Sequence, residues 1–255
     1  MRRKAFVTGG SRGIGAGIVS VLGESGYDVA FTYHSHRDEA EEVQRIVSSS
    51  GAKSFIYQAS LEEPDVPEAV SKKAVQDLGG VDLLVCCAGL TRHNTTAGLE
   101  RELIDFVYGL NFRSYLLCSK VCANDMISRK NGGNIIFITS TRGESAHPDD
   151  SVYGGLKAAL NRAAQTMALD LAPSGIRVNC VAPGATRVRG DSADAARGAF
   201  PARIPLGRLG TPREVGFLVR FVASDEASYM TGNTIKLDGG LTLPGLPENS
   251  EKIEI

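Results

Sequence analysis

Short runs of β-branched and aromatic residues alternate along this chain with longer stretches whose apolar positions recur at helical spacing. Lys4–Thr8 reads as a strand, Gly13–Ser25 as a helix, Asp28–Tyr33 as a strand and Arg37–Ser50 as a helix, the last with Ala40, Val43, Ile46 and Val47 on one face. The cycle repeats with a strand over Lys53–Gln58 and a helix over Val66–Leu78. Asp82–Cys87 is then a nearly continuous apolar run, of the kind a strand buried on both faces requires. Beyond it Glu100–Arg129 reads as largely helical, Gly133–Thr139 as a strand running into Ser140, Ser151–Ala172 as a helix and Arg177–Val181 as a strand. A helix over Pro212–Ala223 and a strand over Thr234–Leu237 complete the pattern. Alternation this regular predicts an α/β domain, a doubly wound parallel sheet with helices on both faces, because right-handed crossovers place them there. Ligands of such sheets bind beyond the carboxyl ends of the strands. The longest connection, near 185–203, is rich in Ala, Gly, Asp and Arg and is a candidate mobile substrate lid.

Composition narrows the class. Lys and Arg number 28 against 29 Asp and Glu, a net charge of −1, which argues against a nucleic-acid or membrane surface as the main partner. With 42% hydrophobic and 22% charged residues, 255 residues suffice for one domain, residues 1–255, around a sizeable core. The basic start Met1-Arg2-Arg3-Lys4 is followed only by Ala5-Phe6-Val7 before Thr8-Gly9-Gly10, too short for the apolar core of a signal peptide. No run approaches a membrane span, and the expected location is the cytoplasm. Cys86, Cys87, Cys118, Cys122 and Cys180 lack zinc-ligand spacing, so reduced, buried, inert thiols and no metal are expected.

The first strand-to-helix turn is Thr8-Gly9-Gly10-Ser11-Arg12-Gly13-Ile14-Gly15. Glycines there let the backbone approach a pyrophosphate, whose charge the helix N-terminus favours. No Gly-Lys-Ser/Thr follows, so it is not a Walker loop. The second strand should select the cofactor. Where a ribose 2′-hydroxyl would call for a carboxylate, the chain reads Thr32-Tyr33-His34-Ser35-His36-Arg37, with none before Asp38. Arg12, Ser35 and Arg37, with His34 or His36, suit a 2′-phosphate, which predicts NADP(H) over NAD(H). Ser140 is followed thirteen positions later by Tyr153, and Lys157 lies one helical turn beyond on the same face. A neighbouring ammonium and an oxidised nicotinamide both favour a phenolate, so Lys157 would tune Tyr153, while Ser140 hydrogen-bonds the substrate oxygen and Tyr153 exchanges its proton.

These pieces together resemble the short-chain dehydrogenase/reductase family over nearly the whole chain, broadly its β-ketoacyl reductases and glucose dehydrogenases. The matching residues are Thr8 to Gly15, Ala88-Gly89, Asn111, Ser140, Tyr153 with Lys157, Pro183-Gly184 and Asp238-Gly239-Gly240. The resemblance implies a single-domain Rossmann-type fold of about seven parallel strands, a homotetramer, and hydride transfer between nicotinamide C4 and a carbonyl or alcohol carbon. It implies Tyr153 as acid/base, Lys157 on the nicotinamide ribose, Ser140 positioning the carbonyl and Asn111 anchoring a water that joins Lys157 to solvent. Cofactor contacts would come from Gly9, Ser11, Arg12, Gly13, Ile14, Gly15, Tyr33, His34, Ser35, Arg37, Ser60, Leu61, Ala88, Gly89, Tyr153, Lys157, Pro183, Gly184 and Thr186.

The chain departs from the family pattern at four places. Cys86-Cys87 replace the usual Asn-Asn before Ala88-Gly89, Ser60 stands where an aspartate usually meets the adenine, Val188 replaces a threonine, and Leu156 replaces a serine. The rival reading is a nucleotide-binding regulatory or scaffold protein with little turnover, which Cys86-Cys87 and Ser60 favour and the intact Ser140, Tyr153 and Lys157 disfavour. His93, His147, Arg92, Arg142, Glu144 and Arg187 or Arg189 would give the site a polar mouth suited to a polar or anionic small molecule, or else form a solvated rim.

Overall fold

Seven parallel strands and seven α-helices build one Rossmann-type domain in the computed structural model, which describes residues 2–188 and 200–243. The strands β1 (Lys4–Thr8), β2 (Asp28–Tyr33), β3 (Ser54–Gln58), β4 (Leu83–Cys86), β5 (Gly133–Ile138), β6 (Ile176–Pro183) and β7 (Thr234–Leu237) lie in the order β3-β2-β1-β4-β5-β6-β7. The order reverses beside β1, and the pairing of Thr8 with Cys86 brings the carboxyl ends of β1 and β4 level there. A crevice for a ligand therefore opens above those two ends.

The central strands are largely apolar because both faces are covered. Phe6, Leu84, Ile135 and Phe137 point to the layer of α3 (Val66–Leu78), α5 (Ser114–Arg129) and α6 (Ser151–Leu171). Ala5, Val7, Phe31, Val85 and Ile136 meet α1 (Gly13–Glu24), α2 (Arg37–Ser49) and α7 (Pro212–Ala223). The α1/α7 contact is close enough to require glycine: a Cβ on Gly17 would lie 2.4 Å from the Pro212 backbone. Thr211 and Glu214 close the N-terminus of α7 in a reciprocal capping box.

Two elements differ from the sequence expectation. The helical stretch 100–129 is two helices, α4 (Arg101–Tyr108) and α5, joined by a π-turn over Gly109–Arg113. Its extra residue is held by the buried Asn111 side chain, which donates to Val107 O and Leu90 O and accepts from Leu90 N–H, so tertiary bonding overrides helical regularity there. The strand expected at Arg177–Val181 runs on to Pro183. Of the expected lid, Ala185 to Val188 pair with Gly210, through Gly210 N–H to Ala185 O at 2.9 Å and Arg187 N–H to Gly210 O at 2.8 Å. Phe200–Arg203 form a 3₁₀ turn, and residues 189–199 lie outside the described residues. Among the described residues no helix is long and apolar enough to cross a membrane.

Candidate active site

The glycine turn sits at the carboxyl end of β1, as its position after a strand and before a helix predicts. Gly9 adopts φ +70°, and a Cβ there would lie 2.8 Å from Ala88 Cα, so the turn and the loop after β4 touch. A Cβ on Gly15 would come within 1.9 Å of Gly9 O. The Thr8 hydroxyl accepts from the N–H groups of Cys87 and Ala88 at 3.0 and 3.1 Å. That anchors the β4 loop through its backbone although Cys86 and Cys87 carry no side-chain amide.

Arg12 caps α1 without a side-chain bond, and the first turn holds no acidic residue. The amides of Gly13, Ile14 and Gly15 therefore have no partner within the helix, which makes this end a receptor for an anion. Tyr33 closes β2 and is buried, whereas Arg12, His34, Ser35 and Arg37 are exposed around it. Two of those side chains have acidic neighbours: Arg37 Nε donates to Glu41 at 2.8 Å, and His34 Nε2 stands 3.8 Å from Glu62. Leu61 is buried and Ser60 half-buried just beyond β3. Pro183 ends β6, and the buried Thr186 hydroxyl donates to Gly184 O at 3.3 Å.

Ser140 lies immediately beyond β5, where its hydroxyl caps a short 3₁₀ turn by accepting from Arg142 N–H at 3.2 Å. Tyr153 and Lys157 project inward from α6. The Ser140 and Thr91 side chains approach the Tyr153 hydroxyl closely enough to favour its phenolate, and Lys157 Nζ stands 5.5 Å from its ring centroid. Lys157 is 2% exposed and donates to Ile138 O at 2.8 Å and to the Tyr115 hydroxyl at 3.2 Å. An ammonium carries three N–H donors, so one remains beyond these two bonds. Gly89 lies beside the pair, since a Cβ on it would meet Asn111 Oδ1 at 2.5 Å and Lys157 Nζ at 3.8 Å. A helix end free of acidic side chains and a buried ammonium with a donor to spare together suit a dinucleotide.

Burial sets the electrostatics. It pushes the Lys157 pKa down to about 8. It also pushes Tyr153 up, outweighing the Thr91 and Ser140 side chains and the Arg142 charge, while Asp150 adds to the rise. In the chain alone, desolvating the phenolate costs more than these neighbours return, whereas the expected lowering by Lys157 together with an oxidised nicotinamide belongs to the loaded site. Burial likewise raises the thiols, Cys87 to about 12 and Cys86 well above its ordinary value, as inert core cysteines require. Among the described residues no group of three or more His, Cys, Asp or Glu could hold a metal ion.

The polar mouth assembles in part. Asn94 N–H donates to Asp149 O at 3.0 Å, joining the loops after β4 and β5, and the rings of His93 and His147 lie 6.1 Å apart. Arg142 bonds Asp150 at 3.3 Å and Glu144 pairs with Lys236 at 3.0 Å. Arg92 and Arg187 are exposed, and Arg189 lies outside the described residues. Sequence reasoning missed Thr91 and Tyr115. Thr91 follows the Ala88-Gly89 pair by two positions, and Tyr115 shares a helical face with Asn111 four residues earlier, a spacing that held the signal.

Known proteins are similar to this chain in sequence and fold. A family model described as Enoyl-(Acyl carrier protein) reductase matches residues 9–242. The 3-oxoacyl-[acyl-carrier-protein] reductase FabG of Staphylococcus epidermidis is 35% identical over 243 residues, covering 94% of this chain and 99% of that protein. The uncharacterized oxidoreductase YohF of Escherichia coli is 34% identical over 254 residues, 98% of this chain and all of its own. The crystal structure of acetoin dehydrogenase from Enterobacter cloacae superposes with a TM-score of 0.90 at 30% identity, over 95% of this chain and 96% of that one. With the family model spanning nearly the whole length and relatives of this similarity end to end, the chain belongs to the short-chain dehydrogenase/reductase family of oxidoreductases.

Proposed function

We propose that this oxidoreductase uses NADP(H) to interconvert a carbonyl and a secondary alcohol, with Ser140, Tyr153 and Lys157 as its working side chains. The observation that carries the reading is their convergence: Tyr153 hydroxyl against Ser140, Lys157 Nζ 5.5 Å from the same ring, beside the uncapped start of α1. When bound, the dinucleotide supplies or accepts the hydride at its nicotinamide. The start of α1, with the amides of Gly13, Ile14 and Gly15, would hold its pyrophosphate, and the spare donor of Lys157 its nicotinamide ribose. Ala88, Gly89, Pro183, Gly184 and Thr186 would line the nicotinamide end. Asn111 fixes the π-turn and the Leu90 backbone, and so shapes the floor of that site.

The chain's own part in reduction is proton delivery. Ser140 Oγ hydrogen-bonds the substrate oxygen, and Tyr153, kept protonated by burial, gives that oxygen its proton as the carbonyl becomes an alkoxide. In the oxidative direction the same hydroxyl must lose its proton first, and Lys157 supplies the positive charge nearby. Preference for NADP(H) is supported by Arg12, His34, Ser35 and Arg37 around the end of β2, where residues 32–37 themselves carry no carboxylate, although Glu41 and Glu62 stand beside Arg37 and His34. Reduction is the expected direction in a cytoplasmic NADPH pool. An assembly of copies, expected to be a homotetramer, is supported by Leu169 and Ile127, large apolar side chains 78% and 41% exposed on α6 and α5.

The test is NADPH and NADH oxidation, followed by near-ultraviolet absorbance, with β-ketoacyl thioesters, α-hydroxyketones, keto-sugars and cyclic ketones, and with alcohols and NADP⁺ in the reverse direction. Turnover with one carbonyl class and at least tenfold higher kcat/KM for NADPH supports the proposal. Tight NADPH binding with no turnover in either direction would instead favour the regulatory reading.

A further inference from the structure

Lys157 is embedded more firmly than a contact to a sugar hydroxyl requires. Its Nζ bonds Ile138 O at 2.8 Å and the Tyr115 hydroxyl at 3.2 Å, and lies 4.8 Å from the centroid of the Tyr115 ring. Tyr115 in turn donates to the same Ile138 O at 3.3 Å. That orients the hydroxyl: its proton faces the carbonyl, and its lone pairs face the ammonium. Tyr115 is 1% exposed, its ring packs edge-on against Phe137 at 5.5 Å, and its backbone carbonyl accepts from the Cys86 thiol at 3.9 Å. Burial holds the Tyr115 pKa well above its ordinary value, so the hydroxyl stays neutral and stays a dipole.

The other groups around Nζ cannot take that part. Cys86 and Cys87 approach from the end of β4, Cys180 from β6 and Tyr153 from α6, and Asn111 Oδ1 lies across Gly89. Burial keeps the thiols protonated, Cys87 and Cys180 at about 12 and Cys86 well above its ordinary value. Asn111 spends its amide on Leu90 and Val107. Tyr115 is thus the side-chain oxygen that hydrogen-bonds Lys157, and it does so from a rigid ring.

We propose that Tyr115 is a positioning residue for Lys157, seating the ammonium by hydrogen bond and ring face so that its remaining N–H is directed at the dinucleotide site and its charge persists at working pH. The proposal rests on the role given to Lys157 above. Tyr115 touches neither substrate nor dinucleotide; it acts through Lys157 alone. Without the hydroxyl, the buried ammonium loses an acceptor while its desolvation is unchanged, so it surrenders its proton earlier.

The test is Tyr115→Phe, which keeps the ring and its packing, with wild type, Tyr115→Leu and Lys157→Met beside it. Protein labelled with ¹³C at lysine Cε is titrated by nuclear magnetic resonance, Lys157→Met assigning the signal, and thermal unfolding verifies each fold. Wild-type Lys157 should titrate near about 8. In Tyr115→Phe it should titrate about one pH unit lower, the tenfold change expected for one hydrogen bond to a charged group, and in Tyr115→Leu lower still. NADPH affinity, read by fluorescence, should then begin its alkaline decline about one pH unit earlier in Tyr115→Phe. An unmoved Lys157 titration in Tyr115→Phe overturns the proposal. Lys157→Met tests the underlying chemistry separately, since wild-type turnover there would sink the role of Lys157 and leave the titration result standing.

Discussion

A buried ammonium placed for chemistry should cost the fold stability, and Lys157 allows the cost to be worked out. Its pKa falls from an ordinary 10.5 to about 8 through burial, and at about 1.4 kcal/mol for each tenfold in proton affinity the folded protein forfeits about 3 kcal/mol at neutral pH. The unfolded chain holds the proton more tightly, so stability on account of this group rises with pH between about 8 and 10.5. Methionine at this position has similar bulk and no charge. It strands no carbonyl either, because Ile138 O keeps its bond from Tyr115. Lys157→Met should therefore be more stable than wild type by about 1–3 kcal/mol at neutral pH, a rise in Tm of several degrees. Urea unfolding of both proteins at matched concentration, from about pH 7 to 10, should show that lead shrinking toward zero. The raised thiols and Tyr115 titrate in both proteins and drop out of the difference. A Lys157→Met protein less stable than wild type at neutral pH, or a gap that does not change with pH, would refute the reasoning.

Arg12→Ala should weaken NADPH at least tenfold, seen as a rise in KM, and leave NADH within about twofold, since only the former carries the phosphate a guanidinium would clamp. Thr91→Val removes a hydroxyl that holds the Tyr153 pKa down, so the pH profile of alcohol oxidation should move to higher pH with the protein still folded. Thr211→Ala breaks the capping box of α7 and should cost about 1 kcal/mol in chemical unfolding with little effect on kcat.

The sheet and its helices were legible because the central strands of this fold are buried on both faces and the helices on one, so apolar run and apolar stripe differ in period. Val29 to Tyr33 and Leu83 to Cys86 read as strands for that reason. The π-turn at Gly109–Arg113 was not legible, because it is imposed by side-chain bonds from Asn111 to Leu90, a partner 21 positions away. Ser140, Tyr153 and Lys157 could be named from spacing, and the fold brings them together. The part burial plays at Tyr153 could not be named, since desolvation depends on what packs around the hydroxyl. Thr91 and Tyr115 went unread for the same reason: each acquires a part only when β4, β5 and α6 converge. The acidic partners of Arg37 and His34, Glu41 and Glu62, show the same limit, because β3 must pair with β2 before Glu62 comes near His34.

The most direct experiment bears on the proposed role of Tyr153 as the proton donor of a hydride transfer. Mixing either wild type or Tyr153→Phe, each loaded with NADPH, with the best carbonyl substrate, and following a single turnover by the loss of NADPH absorbance, tests it directly. The account predicts NADPH binding unchanged within about threefold and a rate constant lower by about 10²–10⁴, the usual worth of a positioned general acid. Equal rate constants in the two proteins would contradict it.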